Sequence, residues 1–323
     1  MAHERLRADR AVLRAADLSL SERSGGHAAL VPRPRARGDA PHNNYAGLQG
    51  VYLLRDSVEG RLDLPDGPFE IPLTIQDRFF NPDGSLLYPT EDNGGDPDPR
   101  VPPVWIPEFF GDTVLVNGRV WPFLEVEPRK YRFRILNASN ARFYHLTLNE
   151  AHPDGTPNGR PGPAFIQIGT DGGFLPAPVR LTDLTIGVAE RFDVVIDFGG
   201  AEGKSFVLNN DAKAPFPDGE DIIPTNVMLF KVTRRLSGRD DGSVPRTLAP
   251  VPLIDPRTSV RTRDLVLSEL DSDPPFENPI IALINAPWAD PVTETPRAGS
   301  VEIWRIINTT GDAHPIHIHL VQF

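Results

Sequence analysis

Short apolar stretches separated by turn residues recur at brief intervals between residues 101 and 235. Residues 131–137 alternate apolar and basic, which predicts a strand with one buried face and one face in water. Asn117-Gly118 between two apolar runs predicts a hairpin turn. The chain also holds 35 prolines and 27 glycines, which disfavour long helices. The pattern predicts an all-β fold built from β-sandwiches.

The length of the chain and its turn-rich stretches indicate how it divides into domains. Its 323 residues suffice for about two domains. Residues 236–262 are rich in Arg, Gly, Asp and Pro and predict a linker, after which new strands begin. A net charge of -11 argues against nucleic acid or an anionic membrane as the main partner. No apolar run reaches the length of a membrane span and no secretory signal is visible, so we expect a soluble protein of unknown compartment.

Three of the eight histidines, His314, His317 and His319, lie within six positions near residue 323. Their apolar and β-branched neighbours predict a strand. Side chains at i and i+2 of a strand are about 7 Å apart, too far to chelate one ion together, so His317 and His319 suit two neighbouring metals. His314 lies an odd number of positions from His317 and His319, so its side chain would point to the other face of the strand and to a different metal centre. The alternative is a strand whose histidines bind no metal.

The motif His314-Pro315-Ile316-His317-Ile318-His319 resembles the one that opens the C-terminal copper-binding region of multicopper oxidases. The resemblance implies that copper is the cofactor. It implies that His314 binds type 1 copper, His317 type 2 copper and His319 one type 3 copper. In an intact relative, phenolic or pigment-like substrates lose single electrons at type 1 copper, and dioxygen is reduced to water. No catalytic residue is assigned beyond these metal ligands.

Other stretches resemble the bacterial laccase, bilirubin oxidase and spore-coat branch of that family. Residues 124–134 and 189–193 are similar to its second, copper-free cupredoxin domain, and residues 45–78 are similar to the end of the first domain and the start of the second. The resemblance implies cupredoxin-like Greek-key sandwiches. We expect one complete middle domain at 101–235, with partial first and third domains at 44–100 and 263–323.

Residues 1–43 differ from the rest, since positions 1–42 carry eight arginines and no lysine. They predict a disordered arm. Residues 30–37 stand where the family has Trp-Tyr-His-Asp-His-Ala, and one choice of codons for them gives that motif after a shift of one base. The hypothesis is that this segment is read out of frame. The alternative is a basic arm that binds an acidic partner.

The chain contains no cysteine. Type 1 copper in this family needs a cysteine thiolate beside two imidazoles, so we expect this chain to be inactive as an oxidase by itself and incomplete at both ends relative to the family. A separate chain that supplies the missing ligands would restore activity. The alternative function is a non-catalytic β-sandwich that binds a partner or forms part of a coat.

Overall fold

The computed structural model describes residues 28–30, 44–87, 90–91, 104–105, 109–220, 225–240, 242–271, 280–284 and 291–318. Strands dominate these residues, and three single turns of 3₁₀ helix lie at Glu59–Arg61, Gly67–Phe69 and Pro256–Thr258. The strands, numbered β1 to β20, are Ala28–Leu30, Val51–Leu53, Glu70–Arg78, Thr90–Glu91, Val104–Trp105, Thr113–Val116, Arg119–Val120, Phe123–Val126, Lys130–Asn137, Tyr144–Ala151, Pro157–Pro161, Phe165–Thr170, Gly173–Leu181, Asp183–Ile186, Arg191–Asp197, Ser205–Asn210, Asn226–Val232, Ser259–Asp271, Ile280–Ile284 and Val301–Asn308.

Two sheets form a cupredoxin-like β-sandwich, called here the middle sandwich. The larger sheet has the order β13-β12-β15-β9-β3-β6-β7. The smaller has the order β11-β10-β16-β17-β8, with β14 paired to β10. Both sheets mix directions, because β3 is parallel to β9 and β17 is parallel to β8. Strand β3 precedes the predicted domain start at residue 101, yet it is an interior strand of the larger sheet.

The core of the middle sandwich lies between its two sheets. Alternate residues of β9 and β15 point into it from the larger sheet, and residues of β10, β16 and β17 meet them from the smaller. Its fully buried members include Ile75, Phe133, Ile135, Leu146, Phe165, Val194, Ile196 and Phe230. The rings of Phe133 and Phe230 lie 5.3 Å apart across the core. Each such side chain contributes roughly 1.5–3 kcal/mol by leaving water, so this core carries most of the hydrophobic stabilisation.

The outer face of β9 differs from the sequence prediction. The alternation at residues 131–137 predicted that the basic residues face water, but Arg132 and Arg134 are 1% and 2% exposed. The Arg132 guanidinium donates to both carboxylate oxygens of Asp193 and, at 2.6 Å, to Glu59. Arg134 donates to Glu59 and Glu70. The prediction was wrong because the segment around Glu59 covers this face and supplies the compensating charges.

The predicted linker at 236–262 packs on the same outer face. Leu248 donates a backbone hydrogen bond to the Pro176 carbonyl at 3.0 Å, and its side chain is buried. It joins a second apolar cluster with Leu64 and Ile168. The linker is therefore fixed against the middle sandwich over part of its length.

A third sheet follows the linker, with the order β19-β18-β20. Strand β18 is antiparallel to β19 and parallel to β20, with Leu267 opposite Asn308. New strands were predicted after residue 262, whereas β18 begins at Ser259, inside the predicted linker. Leu265 and Leu267 are buried, whereas Ile303 and Ile307 are 38% and 42% exposed. One face of this sheet is therefore only partly covered.

The predicted disordered segment 1–43 contains one described element. Strand β1 pairs antiparallel with β2, with Ala29 opposite Tyr52, so the prediction of disorder is wrong for these three residues. The remaining residues of that segment, and the proposed frameshift among them, lie outside the described residues. Among the residues that the structure describes, no helical segment has the length and apolar character that a bilayer crossing requires.

Candidate metal centre

Residues 313–318, called here the histidine segment, follow β20 through a tight turn. The Asn308 carboxamide oxygen accepts from the Thr310 backbone and hydroxyl, and its NH₂ group donates to the Asp312 carbonyl at 2.6 Å. Residues 313–318 are not a strand. The prediction of a strand here was wrong, because this segment pairs with a loop. The Ala313 N–H donates to the Phe216 carbonyl at 2.7 Å, which holds the segment against the middle sandwich.

His314 is surrounded by oxygen atoms. Its Nε2 lies 3.0 Å from Asp312 Oδ1, 3.2 Å from Glu269 Oε1 and 2.8 Å from the Thr310 hydroxyl. Glu269 comes from β18, whereas the other three residues belong to the turn after β20. The side chains of Glu269 and His314 are each 22% exposed, and that of Asp312 is 15% exposed. Two carboxylates and one imidazole therefore converge at a half-buried position.

The electrostatics of this cluster favour a positive charge. Burial raises the pKa of Glu269, and the negative charge of Asp312 raises it further, while His314 opposes the shift. Two neighbouring carboxylates repel each other when both are ionised. A cation that binds between them removes this repulsion and stabilises the ionised forms. The arrangement has the donor types of a metal site.

The cluster forms one wall of a cleft of about 390 Å³. The lining from the middle sandwich includes Phe143 and Phe216, whose rings stack 5.1 Å apart. The lining also includes Phe110, Asn140, Glu269, Asp312, His314 and His317. The cleft therefore combines aromatic side chains with polar and acidic ones.

His317 lines the same cleft with an exposed side chain. Burial raises the pKa of Asp171, and the charges of Arg191 and His317 partly offset that rise. The structure thus brings His314 and His317 to one cleft. His319 lies outside the described residues. The assignment of the three histidines to separate copper centres remains a prediction.

Comparison with known proteins decides the family. Over 285 residues, 87% of this chain, the sequence is 48% identical to a laccase from Bacillus stratosphericus and 45% identical to the laccase of Bacillus subtilis. It is 39% identical to the multicopper oxidase LPR1 of Arabidopsis thaliana over the same length. The chain belongs to the multicopper oxidase family. The chain spans about half the length of these curated relatives, 52% of each laccase and 46% of LPR1.

Solved structures of multicopper oxidases agree with this assignment. The multicopper oxidase McoA from Aquifex aeolicus superposes with a TM-score of 0.71 over 94% of this chain and 62% of its own, at 30% identity. A laccase from Pediococcus acidilactici shares the fold, with a TM-score of 0.64 over 88% of this chain and 53% of its own, at 24% identity. The sequence matches no profile of a known protein family.

The donors at His314 do not fit the type 1 copper of multicopper oxidases. That centre requires a soft cysteine thiolate beside imidazole, and the chain has no cysteine. The groups within reach of His314 Nε2 are the oxygens of Glu269, Asp312 and Thr310, which are hard donors. The cluster therefore lacks the donors of a type 1 centre.

Sequence reasoning missed Glu269 and Asp312. Asp312 stands two positions before His314, which is a short-range signal for a shared site. Glu269 had no local signal, because its position depends on the parallel pairing of β18 with β20. That pairing sets Leu267 opposite Asn308, so Glu269 extends beside the turn that carries His314.

Proposed function

We propose that this chain is part of a copper-dependent oxidoreductase with the laccase type of reaction. In that reaction four single-electron oxidations of phenolic or pigment-like substrates supply the four electrons that, with four protons, convert one dioxygen into two waters. The observation that carries the proposal is that His314 and His317 lie at one cleft of a chain that is 48% identical to a laccase over 285 residues. His314, His317 and His319 are the proposed copper ligands, and His314 can take this role only when a second polypeptide supplies the thiolate of the type 1 centre.

The cleft supports the substrate class. The stacked rings of Phe143 and Phe216 offer an apolar surface on which a phenolic ring can lie, since aromatic rings stack favourably at this kind of separation. Glu269 and Asp312, which also line the cleft, can accept hydrogen bonds from phenolic hydroxyl groups. The substrate therefore needs both an aromatic ring and a hydroxyl group.

The chain by itself lacks the thiolate that electron transfer from such a substrate requires. We propose that oxidase activity depends on a polypeptide that contributes the remaining ligands. The first experiment incubates the purified chain with copper and a phenolic dye under air. We expect no intense blue absorption and no turnover, and turnover by the chain without any second polypeptide would contradict the proposal.

The second experiment tests the family reaction. Residues 44–323 replace the corresponding part of the Bacillus subtilis laccase, and oxidation of the dye by this chimera is measured. We expect copper-dependent turnover that is abolished by His314→Ala, His317→Ala or His319→Ala. The matched control is His152→Ala, an exposed histidine elsewhere in the chain, which should keep full activity. A folded chimera that is inactive with bound copper would overturn the proposal.

One observation favours a second function, that of a non-catalytic binding or coat protein. The middle sandwich closes its own core without any residue of the histidine segment. It can therefore remain folded whether or not a metal is bound. Turnover by the chimera together with copper binding at the histidines would exclude this alternative.

A further inference from the structure

The cluster around His314 has the composition of a metal site that differs from the copper centres of the family. Glu269, Asp312 and His314 each offer one ligand atom, and these atoms all lie within 4.8 Å of one another. Two anionic oxygens and one imidazole nitrogen form a hard to borderline donor set. Such a set suits divalent first-row ions such as Mn²⁺ and Zn²⁺ and needs no thiolate.

The spacing of the donors is compatible with a shared ion. Ligand atoms about 2.1 Å from an ion and at right angles to each other are about 3.0 Å apart. His314 Nε2 lies 3.0 Å from the Asp312 oxygen and 3.2 Å from the Glu269 oxygen. An ion can therefore contact the three donors after small movements of side chains alone.

The backbone around the cluster holds two of the donors in place. Asn308 fixes the turn through hydrogen bonds to Thr310 and to the Asp312 carbonyl. The Thr310 hydroxyl, which contacts His314 Nε2, also contacts Asn308 Oδ1 at 2.7 Å. It therefore keeps a partner when the imidazole nitrogen turns to a metal, which lowers the cost of binding.

We propose that Glu269, Asp312 and His314 bind one divalent cation of the Mn²⁺ or Zn²⁺ class at the wall of the cleft. The cleft leaves the remaining coordination positions open to water or to an oxygen-bearing ligand. The site requires neither the missing thiolate nor oxidase activity, and His314 is the residue it shares with the proposed copper role. The competing explanation is that a protonated His314 forms ion pairs with the two carboxylates and binds nothing.

The experiment is a titration of the purified full chain with Mn²⁺, followed by the electron paramagnetic resonance signal of the free ion. We expect saturable binding of one Mn²⁺ per chain, displaced by Zn²⁺. Glu269→Gln and Asp312→Asn should each weaken binding by roughly tenfold or more, because each removes an anionic ligand. The matched control is Asp264→Asn on the same strand as Glu269, where the carboxylate pairs with Arg305 outside the cluster.

A second measurement guards against variants that unfold. In the unaltered chain, bound Mn²⁺ should broaden the ring resonances of His314 more strongly than those of His145 and His152. Absence of saturable binding, equal affinity in the Glu269→Gln/Asp312→Asn double variant, or stronger broadening at another site would each overturn the proposal.

The two proposals fail separately. An inactive laccase chimera beside intact Mn²⁺ binding by the chain would remove the oxidase function and leave the cation site. An active chimera beside a chain that does not bind Mn²⁺ would do the reverse.

Discussion

The middle sandwich and the third sheet are both built from β-strands, but only the middle sandwich has a second sheet that covers its apolar face. In the middle sandwich two sheets face each other, and residues such as Phe133, Leu146 and Val194 are fully buried. In the third sheet, Leu265 and Leu267 are buried while Ile303 and Ile307 on β20 remain more than one-third exposed. A sheet needs a partner layer to bury its second face, so apolar sequence alone does not produce a closed core.

Ion pairs show the same contrast. Arg132 and Asp193 pair in the middle sandwich with side chains 1% and 7% exposed. Arg305 and Asp264 pair on the third sheet at the same distance of 2.6 Å, but their side chains are 64% and 49% exposed. Water and salt screen the second pair and hardly reach the first. Loss of an Arg–Asp ion pair should therefore lower the free energy of unfolding much more in the middle sandwich than on the third sheet.

Hydrogen exchange should show the largest difference between them. Amides of β9 and β15 lie at the centre of a seven-stranded sheet, and we expect their protection to approach the global free energy of unfolding, about 5–15 kcal/mol. Amides of β20, an edge strand, should exchange through local opening that costs only a small part of that. Equal protection of β9 and β20 would show that both regions unfold as one unit.

Removal of Asp193 should have the next largest effect. Asp193→Ala leaves two carboxylates, those of Glu59 and Glu70, to balance three guanidiniums. These belong to Arg55, Arg132 and Arg134, and the last two are almost completely buried. Excess positive charge without water costs about 3–5 kcal/mol of the free energy of unfolding. Urea denaturation followed by circular dichroism measures this. The control Asp264→Ala removes an exposed carboxylate and should leave stability unchanged within error, and similar losses in both variants would refute the contrast.

Truncation of apolar side chains should also lower the free energy of unfolding more in the middle sandwich than on the third sheet, but with a smaller difference than the ion pairs give. Leu146→Ala opens a cavity in the sandwich core and should cost about 2–5 kcal/mol, whereas Ile307→Ala on the exposed face should cost about 0.5 kcal/mol or less. The same denaturation assay compares them. A large loss for Ile307→Ala would mean that another protein surface covers this face in solution, and dependence of that loss on protein concentration would identify an intermolecular contact.

Local sequence patterns predicted much of the sandwich. The Asn117-Gly118 turn forms as expected, with φ angles of +51° and +74° that Asn and Gly adopt at least cost. The strand predicted at residues 131–137 forms as β9, which spans Lys130–Asn137. These features depend on neighbouring residues and on the two-residue period of a strand. They are therefore accessible without knowledge of the tertiary structure.

The features that sequence patterns missed depend on distant segments. Arg132 and Arg134 were expected to face water. They are buried because Glu59, more than 70 residues earlier in the chain, packs against them and accepts their hydrogen bonds. Glu269 reaches His314 through strand pairing across a long connection. Family resemblance identified the histidine, but its motif does not include the carboxylates beside it. The chemistry at His314 thus depended on residues that no local pattern connects.

His145 on the middle sandwich provides the smallest predicted effect. It lies on β10, and its ring contacts Asp211 through Nδ1 and Asp183 through Nε2, the latter at 3.4 Å. Burial lowers the pKa of His145, but hydrogen bonds and charges of Asp211 and Asp183 outweigh that and raise it above the ordinary value of 6.5. The protonated ring therefore stabilises the fold. This contribution is full below pH 6.5 and is lost as the pH rises through the elevated folded pKa.

We expect the difference in unfolding free energy between the wild type and His145→Gln to be under about 1 kcal/mol, because Asp211 is 66% exposed and water screens the pair. Denaturation between about pH 6 and pH 9 measures how it decreases. Asp211→Asn removes the strongest charge partner and should flatten the dependence. A difference that grows with pH would mean that the neutral ring is the stabilising form and that the loop carrying Phe216 is held by packing, not by charge.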